Sequence, residues 1–408
     1  TDTASALQIA AAKAAKRLAK VSSPPDVTSA SLKLQPPKLR DLTQAPMSLL
    51  ALLPSPVTGT VGVLSAPRQF NLMFRTSVGA VDDQADPSAG GVTYLRPETA
   101  QGIFTNFVNM QRASRLKIPF GIAQVGKAFR NEITPRNFIF RSREFEMMEI
   151  EFFIPPDDDL WEQYLSDWLE LSWRWLLAMG LRPDLLSRRV HVRGSDGSGL
   201  AHYAKACTDI EFRFPFGSNE LMGVAARGSY DLDQHGHHSG RAMEYTHVPA
   251  GSTDGGDMEQ SRKYVPHTIE PSIGLDRLFL ALLTSAYRED VVEGEKRVVL
   301  SLHPALAPVK ACVMPLLKNR PEIMQKATVV FDSLRASGQW NVEMDLSGSI
   351  GKRYRRADEI GTPFCITVDV DSVRDECVTL RHRDTTRQER IPIKDLTSTL
   401  ERYLRWDS

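Results

Sequence analysis

The chain has 408 residues, which is enough for roughly two or three domains and a sizeable hydrophobic core. Its hydrophobic content of 42% and charged content of 25% are those of an ordinary globular protein, and no apolar run approaches the length of a membrane span. The formal net charge is zero, so composition does not indicate a nucleic-acid binder, and any contact with RNA has to use local basic patches. The four cysteines stand far apart without a CxxC pair, which predicts neither a disulfide framework nor a zinc site and favours a reducing compartment.

Residues 1–65 differ in composition from the rest of the chain. An Ala-rich stretch at 6–20 carries clustered Lys and Arg and predicts a basic helix, and a segment rich in Pro and Ser follows as a linker. This bias resembles an organelle transit segment, and an ordinary basic helix before a linker explains it equally well. Because the first residue is not Met, we expect a processed product or a fragment.

The stretch 94–153 is the most informative part of the chain. Two apolar runs, 118–130 and 138–154, flank a polar turn and predict an antiparallel hairpin. Since a strand alternates its faces, Glu149 and Glu151 project to one side and their apolar neighbours to the other. Further charges lie within or beside the runs, so we interpret one face of this sheet as a charged floor: Arg130, Glu132, Arg141, Arg143, Glu144 and Glu146. Such a floor suits a ligand with phosphate and ammonium groups, such as ATP with an amino acid, and a solvent-facing sheet laced with ion pairs is the open alternative.

The middle of the chain predicts a helix, a strand and a loop. Aromatic residues and leucines recur at helical spacing over 160–180, with Gly180 as a stop, so we expect a helix that packs on the core. Alternation within 201–216 predicts a strand. The histidines at 235, 237 and 238 lack a helical i, i+4 pair and nearby cysteines, so we interpret them as part of a polar loop and assign no metal ligand.

A strand, a turn and an apolar helix are predicted over 268–287. Arg277 falls near the start of that helix, where backbone N–H groups also favour anions, so phosphate binding is the functional interpretation. A buried arginine paired with an acid is the structural alternative.

A separate domain is predicted after a charged linker at 288–297. We expect strands at 298–304 and in the WNVEMDL segment, helices at 307–318, 321–337 and 349–361, three further strands ending in a hairpin, and a final helix at 393–405. This order indicates a mixed α/β sheet.

Several of these segments resemble glycyl-tRNA synthetase, the homodimeric class II type. FRNE (129–132) resembles the start of class II motif 2, REFEMMEIEFF (143–153) its second strand, and EPSIGLDR (270–277) motif 3. LRPETAQGIF (95–104) and GKRYRRADEIGTPF (351–364) are similar to segments specific to this family. The resemblance implies an α/β (α+β) chain with an antiparallel-sheet class II catalytic domain at 66–290 and a mixed α/β anticodon-binding domain at 297–408.

The sequence departs from the family's pattern at three points. Motif 1, which supplies the dimer interface in the family, is not found in 1–65, and SPVTG (55–59) lacks the two cysteines of a CPxCG-like turn. The block at 219–240 matches the family at most positions, but Ala226 replaces a hydrogen-bonding residue that we expect near the pocket. Dimerisation is thereby in doubt, and no zinc is expected at that turn.

The resemblance implies ATP-dependent activation of glycine to glycyl-adenylate and transfer to tRNA(Gly), with Mg²⁺ on the phosphates. It places Arg130 on the α-phosphate, Glu132 on the adenine amino group, Phe145 against adenine and Arg277 on the γ-phosphate. The implied glycine-binding residues are Arg96, Glu98, Glu149, Glu220, Glu270 and Ser272. The implied tRNA-binding residues are Lys352, Arg353, Arg355 and Arg356.

The same resemblance implies a homodimer in the cytoplasm, with an organelle (chloroplast or mitochondrion) as the alternative compartment. A non-catalytic relative that binds nucleic acid, of the DNA polymerase accessory subunit type, is the alternative function. The missing motif 1 and Ala226 favour that alternative, whereas the intact ATP-binding residues oppose it.

Overall fold

The computed structural model describes residues 59–63, 70–78, 91–157, 160–192, 200–247, 262–292 and 294–406. Contacts along the chain group Met73–Ser408 into one compact unit, which contains every element named below. The predicted basic helix at 6–20 and most of the predicted linker lie outside the described residues, so the interpretation of 1–65 stays a prediction. Within the described part of the chain, no helix is long and apolar enough to cross a membrane.

In the first part of the unit, the described residues form ten strands and four helices. The strands are β1 (Arg75–Ser77), β2 (Val92–Tyr94), β3 (Phe120–Phe129), β4 (Glu144–Ile154), β5 (Leu186–His191), β6 (Ala206–Phe214), β7 (Gly217–Gly228), β8 (Tyr245–His247), β9 (Arg262–Tyr264) and β10 (His267–Gly274). The helices are α1 (Ala100–Ala113), α2 (Leu160–Ala178), α3 (Tyr230–Ser239) and α4 (Leu275–Ala286).

Six of these strands form one antiparallel sheet in the order β3-β4-β10-β7-β6-β5. Strands β3 and β4 pair from Phe120 opposite Phe153 to Phe129 opposite Glu144, which confirms the predicted hairpin. Strand β10 lies between β4 and β7, so that Ser272 stands opposite Glu149 on one side and Gly223 on the other. The register therefore brings the acidic face of the hairpin beside the segment that resembles motif 3.

The two faces of the sheet are covered differently. On the apolar face, α2 packs as predicted, with the ring centroids of Trp168 and Phe152 5.3 Å apart, and it ends before Gly180, whose φ is +97°. On the opposite face, α1 covers one end of β4, where the rings of Phe107 and Phe153 lie 4.6 Å apart. Over the rest of this second face, which carries the charged floor, the described residues leave a cavity.

The second part of the unit holds the remaining elements. The strands are β11 (Tyr287–Val292), β12 (Glu295–Leu300), β13 (Ala311–Pro315), β14 (Val342–Met344), β15 (Phe364–Val368), β16 (Cys377–His382) and β17 (Gln388–Pro392). The helices are α5 (Pro321–Ala336), α6 (Ile350–Ile360), α7 (Ser372–Asp375) and α8 (Leu396–Tyr403). Strands β14-β13-β15-β16-β17 form a mixed sheet, parallel from β14 to β15 and antiparallel beyond, which confirms the predicted mixed α/β architecture.

Buried arginines join the β11–β12 hairpin to this mixed sheet. Asp358 has no exposed surface and accepts hydrogen bonds from Arg381 at 2.8 and 2.9 Å and from Arg297 at 3.1 Å. Arg383 is also buried and donates to the carbonyl oxygens of Gly361 and Leu302. Composition alone would place Arg381 and Arg383 at a solvated surface, but their burial makes them part of the internal framework.

Three predicted elements are wrong. The helix predicted at 307–318 contains β13, an interior strand of the mixed sheet, because a short, fully buried apolar run has no periodicity that separates a strand from a helix. The predicted linker at 288–297 is most of the β11–β12 hairpin, whose exposed and less exposed side chains alternate. The predicted polar loop around His235 is helix α3, which carries Asp231 in its first turn and ends at Gly240 with φ +65°.

Candidate active site

A cavity of about 440 Å³ opens over the charged floor. Strands β4, β7 and β10 supply its base, because residues two apart on each strand point to the same face. The structure brings most of the expected catalytic, ATP-binding and glycine-binding residues to its wall: Glu98, Arg130, Glu132, Phe145, Glu149, Glu220, Glu270, Ser272 and Arg277. Arg96 is the exception, because it is exposed, does not line the cavity and donates to the carbonyl oxygen of Lys127 on β3.

One end of the cavity is lined by carboxylates that are held in place by hydrogen bonds. Glu149 is 2% exposed, and its Oε2 accepts from the backbone N–H of Thr99 at 2.6 Å and from the Thr99 hydroxyl. Its Oε1 accepts from the hydroxyl of Ser272 at 3.1 Å. These bonds fix the orientation of a buried negative charge that faces the cavity.

A buried ion-pair network lies next to Glu149. Arg227 donates to both carboxylate oxygens of Asp231 at 2.8 Å and to Glu270 at 2.9 Å. Its guanidinium also stacks 4.1 Å from the centroid of the Tyr203 ring. Burial alone would lower the pKa of Arg227, but the neighbouring carboxylates raise it further than burial lowers it. This side chain therefore carries a full positive charge.

At the carboxylate end of the cavity, several acidic side chains surround one arginine, Arg227. Burial raises the pKa of Glu270 to about 7, a shift that Arg227 opposes and Glu149 reinforces. Burial and the charge of Glu270 also raise the pKa of Glu151 well above its ordinary value, and neither carboxylate oxygen of Glu151 has a hydrogen-bond partner among the described residues. The carboxylates thus repel one another, and a cationic group entering the cavity relieves that repulsion.

The other end of the cavity carries three arginines, Arg130, Arg141 and Arg277. Arg277 donates to the carbonyl oxygen of Glu220 at 3.0 Å, and its guanidinium lies 4.4 Å from the centroid of the Phe140 ring. Burial lowers the pKa of Arg277, Glu220 opposes that shift, and the positive charges of Arg130 and Arg141 add to it. Mutual repulsion among these arginines is offset when a polyanion binds between them.

Phe145 joins the hairpin to this arginine cluster. The guanidinium of Arg130 lies 5.5 Å from the centroid of its ring, and Arg130 also donates to the carbonyl oxygen of Pro97 at 3.1 Å. The ring and Glu132 therefore lie on the cavity wall near the polyanion site. An aromatic face beside a guanidinium suits a planar heterocycle that is attached to phosphates.

Sequence reasoning missed several residues of the site. Arg141 lines the cavity, and its buried Nε has no hydrogen-bond partner within the described part of the chain. Its position among the charges of the hairpin was a signal, but nothing in the spacing tied it to Arg277. Arg227 and Asp231 are four residues apart, and no local pattern indicated that Glu270 completes their network.

Two further expectations are corrected by the placement of the side chains. Ala226 lies on the apolar face with Ile154 and Ile269, whereas its neighbour Ala225 lines the cavity, so the alanine removes no group from the pocket. Arg353, expected to bind tRNA, is 3% exposed and donates to the carbonyl oxygens of Gly348 and Pro315, so it stabilises the fold and is not available to RNA.

The other predicted tRNA-binding residues remain accessible at the surface of α6. Lys352 is exposed, Arg355 lies 3.7 Å from Glu295, and Arg356 pairs with Asp345 at 2.6 Å. Surface pairs of this kind are weak and exchange readily for a phosphate.

An antiparallel six-stranded sheet with this polar cavity, followed by a mixed α/β domain, defines a class II tRNA synthetase. A family model described as the tRNA synthetase class II core domain (G, H, P, S and T) matches residues 88–287, and one described as an anticodon binding domain matches residues 310–403. Fold and family models therefore agree with the resemblance read from the sequence.

Curated relatives narrow the class to one family. The chain is 52% identical over 340 residues to the Glycine--tRNA ligase of Alkaliphilus oremlandii, an alignment that covers 83% of this chain and 68% of the relative. It is also 52% identical over 339 residues to that of Caldanaerobacter subterraneus and 50% identical over 340 residues to that of Clostridium acetobutylicum, with the same coverage of 83% and 68%. The chain belongs to the glycine--tRNA ligase family.

Proposed function

We propose that the protein activates glycine with ATP and transfers it to tRNA(Gly). In the first step a glycine carboxylate oxygen attacks the α-phosphorus of ATP, and pyrophosphate leaves. In the second step the terminal ribose hydroxyl of the tRNA attacks the glycyl carbonyl, and AMP leaves. Neither step requires a nucleophile from the protein, so catalysis rests on positioning and on stabilisation of charge at phosphorus.

The single observation that carries this proposal is the opposite charge of the two ends of one cavity. Carboxylates gather at one end around Glu149 and Glu270, and arginines gather at the other around Arg277. Glycine offers an ammonium and ATP offers a polyphosphate, so the two substrates can be held with their reacting groups facing each other. The names of the relatives support glycine as the amino acid.

Each predicted ATP-binding residue receives a role that its surroundings support. Arg130 holds the α-phosphate and Arg277 the γ-phosphate, because both guanidinium groups face the cavity. Phe145 stacks on adenine, and Glu132 accepts a hydrogen bond from the adenine amino group. Arg141, at the same end, is added as a further phosphate ligand, because its buried Nε has no hydrogen-bond partner among the described residues.

Glycine is held by the carboxylate end. Glu149 and Glu270 receive the ammonium, Ser272 keeps Glu149 in place, and Glu98 adds negative charge from the adjacent wall. The role proposed for Arg96 rests on the resemblance alone, since its side chain lies along β3. With no side chain to grasp, selectivity for glycine comes from the steric fit of this end.

Mg²⁺ is implied by the class, and the donors of the cavity fit it. Magnesium prefers hard oxygen ligands and is usually held by one or two carboxylates together with substrate phosphates. Glu220, which the resemblance assigns to glycine binding, meets this requirement as well, because its carboxylate is half exposed and lies 3.6 Å from Arg277 at the phosphate end. When bound, the ion supplies positive charge to the triphosphate, while Arg277 and Arg130 orient it.

ATP–pyrophosphate exchange tests the proposal directly. We expect exchange with glycine and little with alanine or serine, and we expect Arg277→Ala to abolish it. The control is Arg174→Ala, which removes an exposed arginine of α2 and should leave exchange unchanged. Absence of glycine-dependent exchange from folded wild-type protein would overturn the proposal.

We also propose the domain division, the oligomeric state and the compartment that the resemblance implied. The catalytic domain spans 66–290 and the anticodon-binding domain 297–408, with Lys352, Arg355 and Arg356 contacting tRNA. The protein is a homodimer, which sedimentation at several concentrations tests. It acts in the cytoplasm, where its four free cysteines stay reduced, and a fluorescent fusion of the full gene product distinguishes this from an organelle.

A further inference from the structure

Three potential metal ligands meet on the cavity wall. His191 on β5 stands directly opposite Cys207 on β6, and Asp209 follows two residues later on the same face of β6. Their ligand atoms all lie within 4.8 Å of one another. This grouping could not be predicted from the sequence, because the residues come from two strands and form no recognisable spacing.

Backbone pairing makes this arrangement rigid. Strand β6 lies between β5 and β7 in the sheet, so that both His191 and Cys207 are fixed by ladder hydrogen bonds. The Asp209 Oδ2 lies 2.6 Å from Nε2 of His191, and its Oδ1 lies 3.7 Å from the sulfur of Cys207. The carboxylate thus sits between the two other donors, where it can bind the same ion.

Small residues on the neighbouring strand leave room above the cluster. Gly223 stands opposite Asp209, and Ala225 stands opposite Cys207. A Cβ atom built at Gly223 would lie 3.7 Å from Oδ1 of Asp209, in ordinary van der Waals contact, so the glycine leaves the space beside the carboxylate open. Both small residues line the same cavity as the cluster.

The chemistry of the donors selects the kind of ion. A thiolate, an imidazole and a carboxylate form the mixed set that Zn²⁺ and similar thiophilic ions favour, whereas Mg²⁺ prefers oxygen ligands alone. Three protein ligands with a fourth position open to water are typical of accessible zinc sites. This donor set therefore differs from the oxygen ligands that magnesium would use beside the triphosphate.

We propose that His191, Cys207 and Asp209 bind a thiophilic divalent cation such as Zn²⁺ in the wall of the cavity. Binding replaces the hydrogen bond between His191 and Asp209, and the thiol proton of Cys207 passes to solvent as the metal–sulfur bond forms. The fourth ligand comes from the cavity, because all three residues line it. The alternative is a plain imidazole–carboxylate hydrogen bond with a neighbouring thiol that binds nothing.

Cobalt titration of the whole protein tests this proposal. Co²⁺ replaces Zn²⁺ and gives a near-ultraviolet thiolate charge-transfer band together with visible bands whose strength reports tetrahedral coordination. We expect one equivalent of Co²⁺ to produce both signals, Zn²⁺ to displace it, and excess Mg²⁺ to leave it in place.

Matched variants decide which residues hold the ion. Cys207→Ser should remove the charge-transfer band, and Cys377→Ser, at a partly buried cysteine in the second sheet, should keep it. His191→Asn should weaken binding at least tenfold while the charge-transfer band remains at saturating Co²⁺. Circular dichroism checks that each variant is folded. Absence of a band in folded wild type, or a band that survives Cys207→Ser, would overturn the proposal.

Discussion

Removing the negative charge of Glu149 without changing its shape should weaken glycine binding specifically. In Glu149→Gln, the remaining oxygen can still accept from Thr99, and the new amide can donate to the hydroxyl of Ser272, so the fold is preserved. The variant loses a charge-assisted contact with the glycine ammonium. Because Glu149 is only 2% exposed, water does not replace that contact.

The size of the effect follows from the burial of that contact. Hydrogen bonds to charged groups contribute about 1.5–3 kcal/mol. At 1.36 kcal/mol per tenfold change, this predicts that the KM for glycine rises by roughly 10- to 150-fold. The KM for ATP should stay within about twofold, because the phosphates lie among the arginines at the other end of the cavity.

The assay is ATP–pyrophosphate exchange with glycine varied at saturating ATP, and then the reverse. Glu146→Gln is the matched control, since Glu146 is an exposed glutamate on the opposite face of β4. An unchanged KM for glycine in a folded Glu149→Gln protein would refute the assignment of the ammonium site. An equal rise in the KM for ATP would refute the separation of the two ends.

Burial raises the pKa of Glu270 to about 7, and the protonated acid cannot attract the glycine ammonium. We therefore expect kcat/KM for glycine to increase as the pH rises through that value. In the same exchange assay, Glu270→Gln should lower kcat/KM and remove this pH dependence. Gly361→Ala should lower the free energy of unfolding by roughly 1–3 kcal/mol, because φ is +84° and the new Cβ would lie 2.9 Å from a carbonyl oxygen. Gly351→Ala, in open space on α6, should instead raise it by about 0.5–1 kcal/mol. Asp358→Ala should cost about 3–5 kcal/mol in urea unfolding, since it leaves Arg297 and Arg381 without their shared buried carboxylate.

Each of these expectations has a contrary result. The raised pKa of Glu270, about 7, lies near the middle of the range from about pH 5.5 to about pH 8.5. If kcat/KM of the wild type for glycine did not change across that range, Glu270 would not be the group that controls glycine binding. If Gly361→Ala and Gly351→Ala unfolded at the same urea concentration, the explanation from the positive φ and the close Cβ contact at Gly361 would be wrong. An Asp358→Ala protein as stable as wild type would show that water reaches the two arginines.

The hairpin was predictable from sequence because its information is local. Glu149 and Glu151 alternate with apolar residues along β4, and a turn with proline separates the two strands, so both the pairing and the polar face could be inferred. The segments that resemble class II motifs 2 and 3 then indicated the function. The contacts that organise the site were less accessible, since Arg227 reaches Glu270 across 43 positions of the chain.

The errors have a common physical cause. A buried five-residue strand such as β13 shows no periodicity, and burial of charges is invisible to composition. Arg353, Arg381 and Arg383 look like a solvated basic cluster in the sequence, yet each is buried and paired with carbonyl oxygens or a carboxylate. Whether an arginine serves RNA or the fold depends on partners that only the tertiary structure brings near.

Charging of tRNA(Gly) with labelled glycine is the most direct test of the whole account, because it requires both the cavity and the second domain. The account predicts ATP-dependent formation of glycyl-tRNA by the whole chain, with no product when alanine replaces glycine. Folded protein that forms no glycyl-tRNA would contradict it.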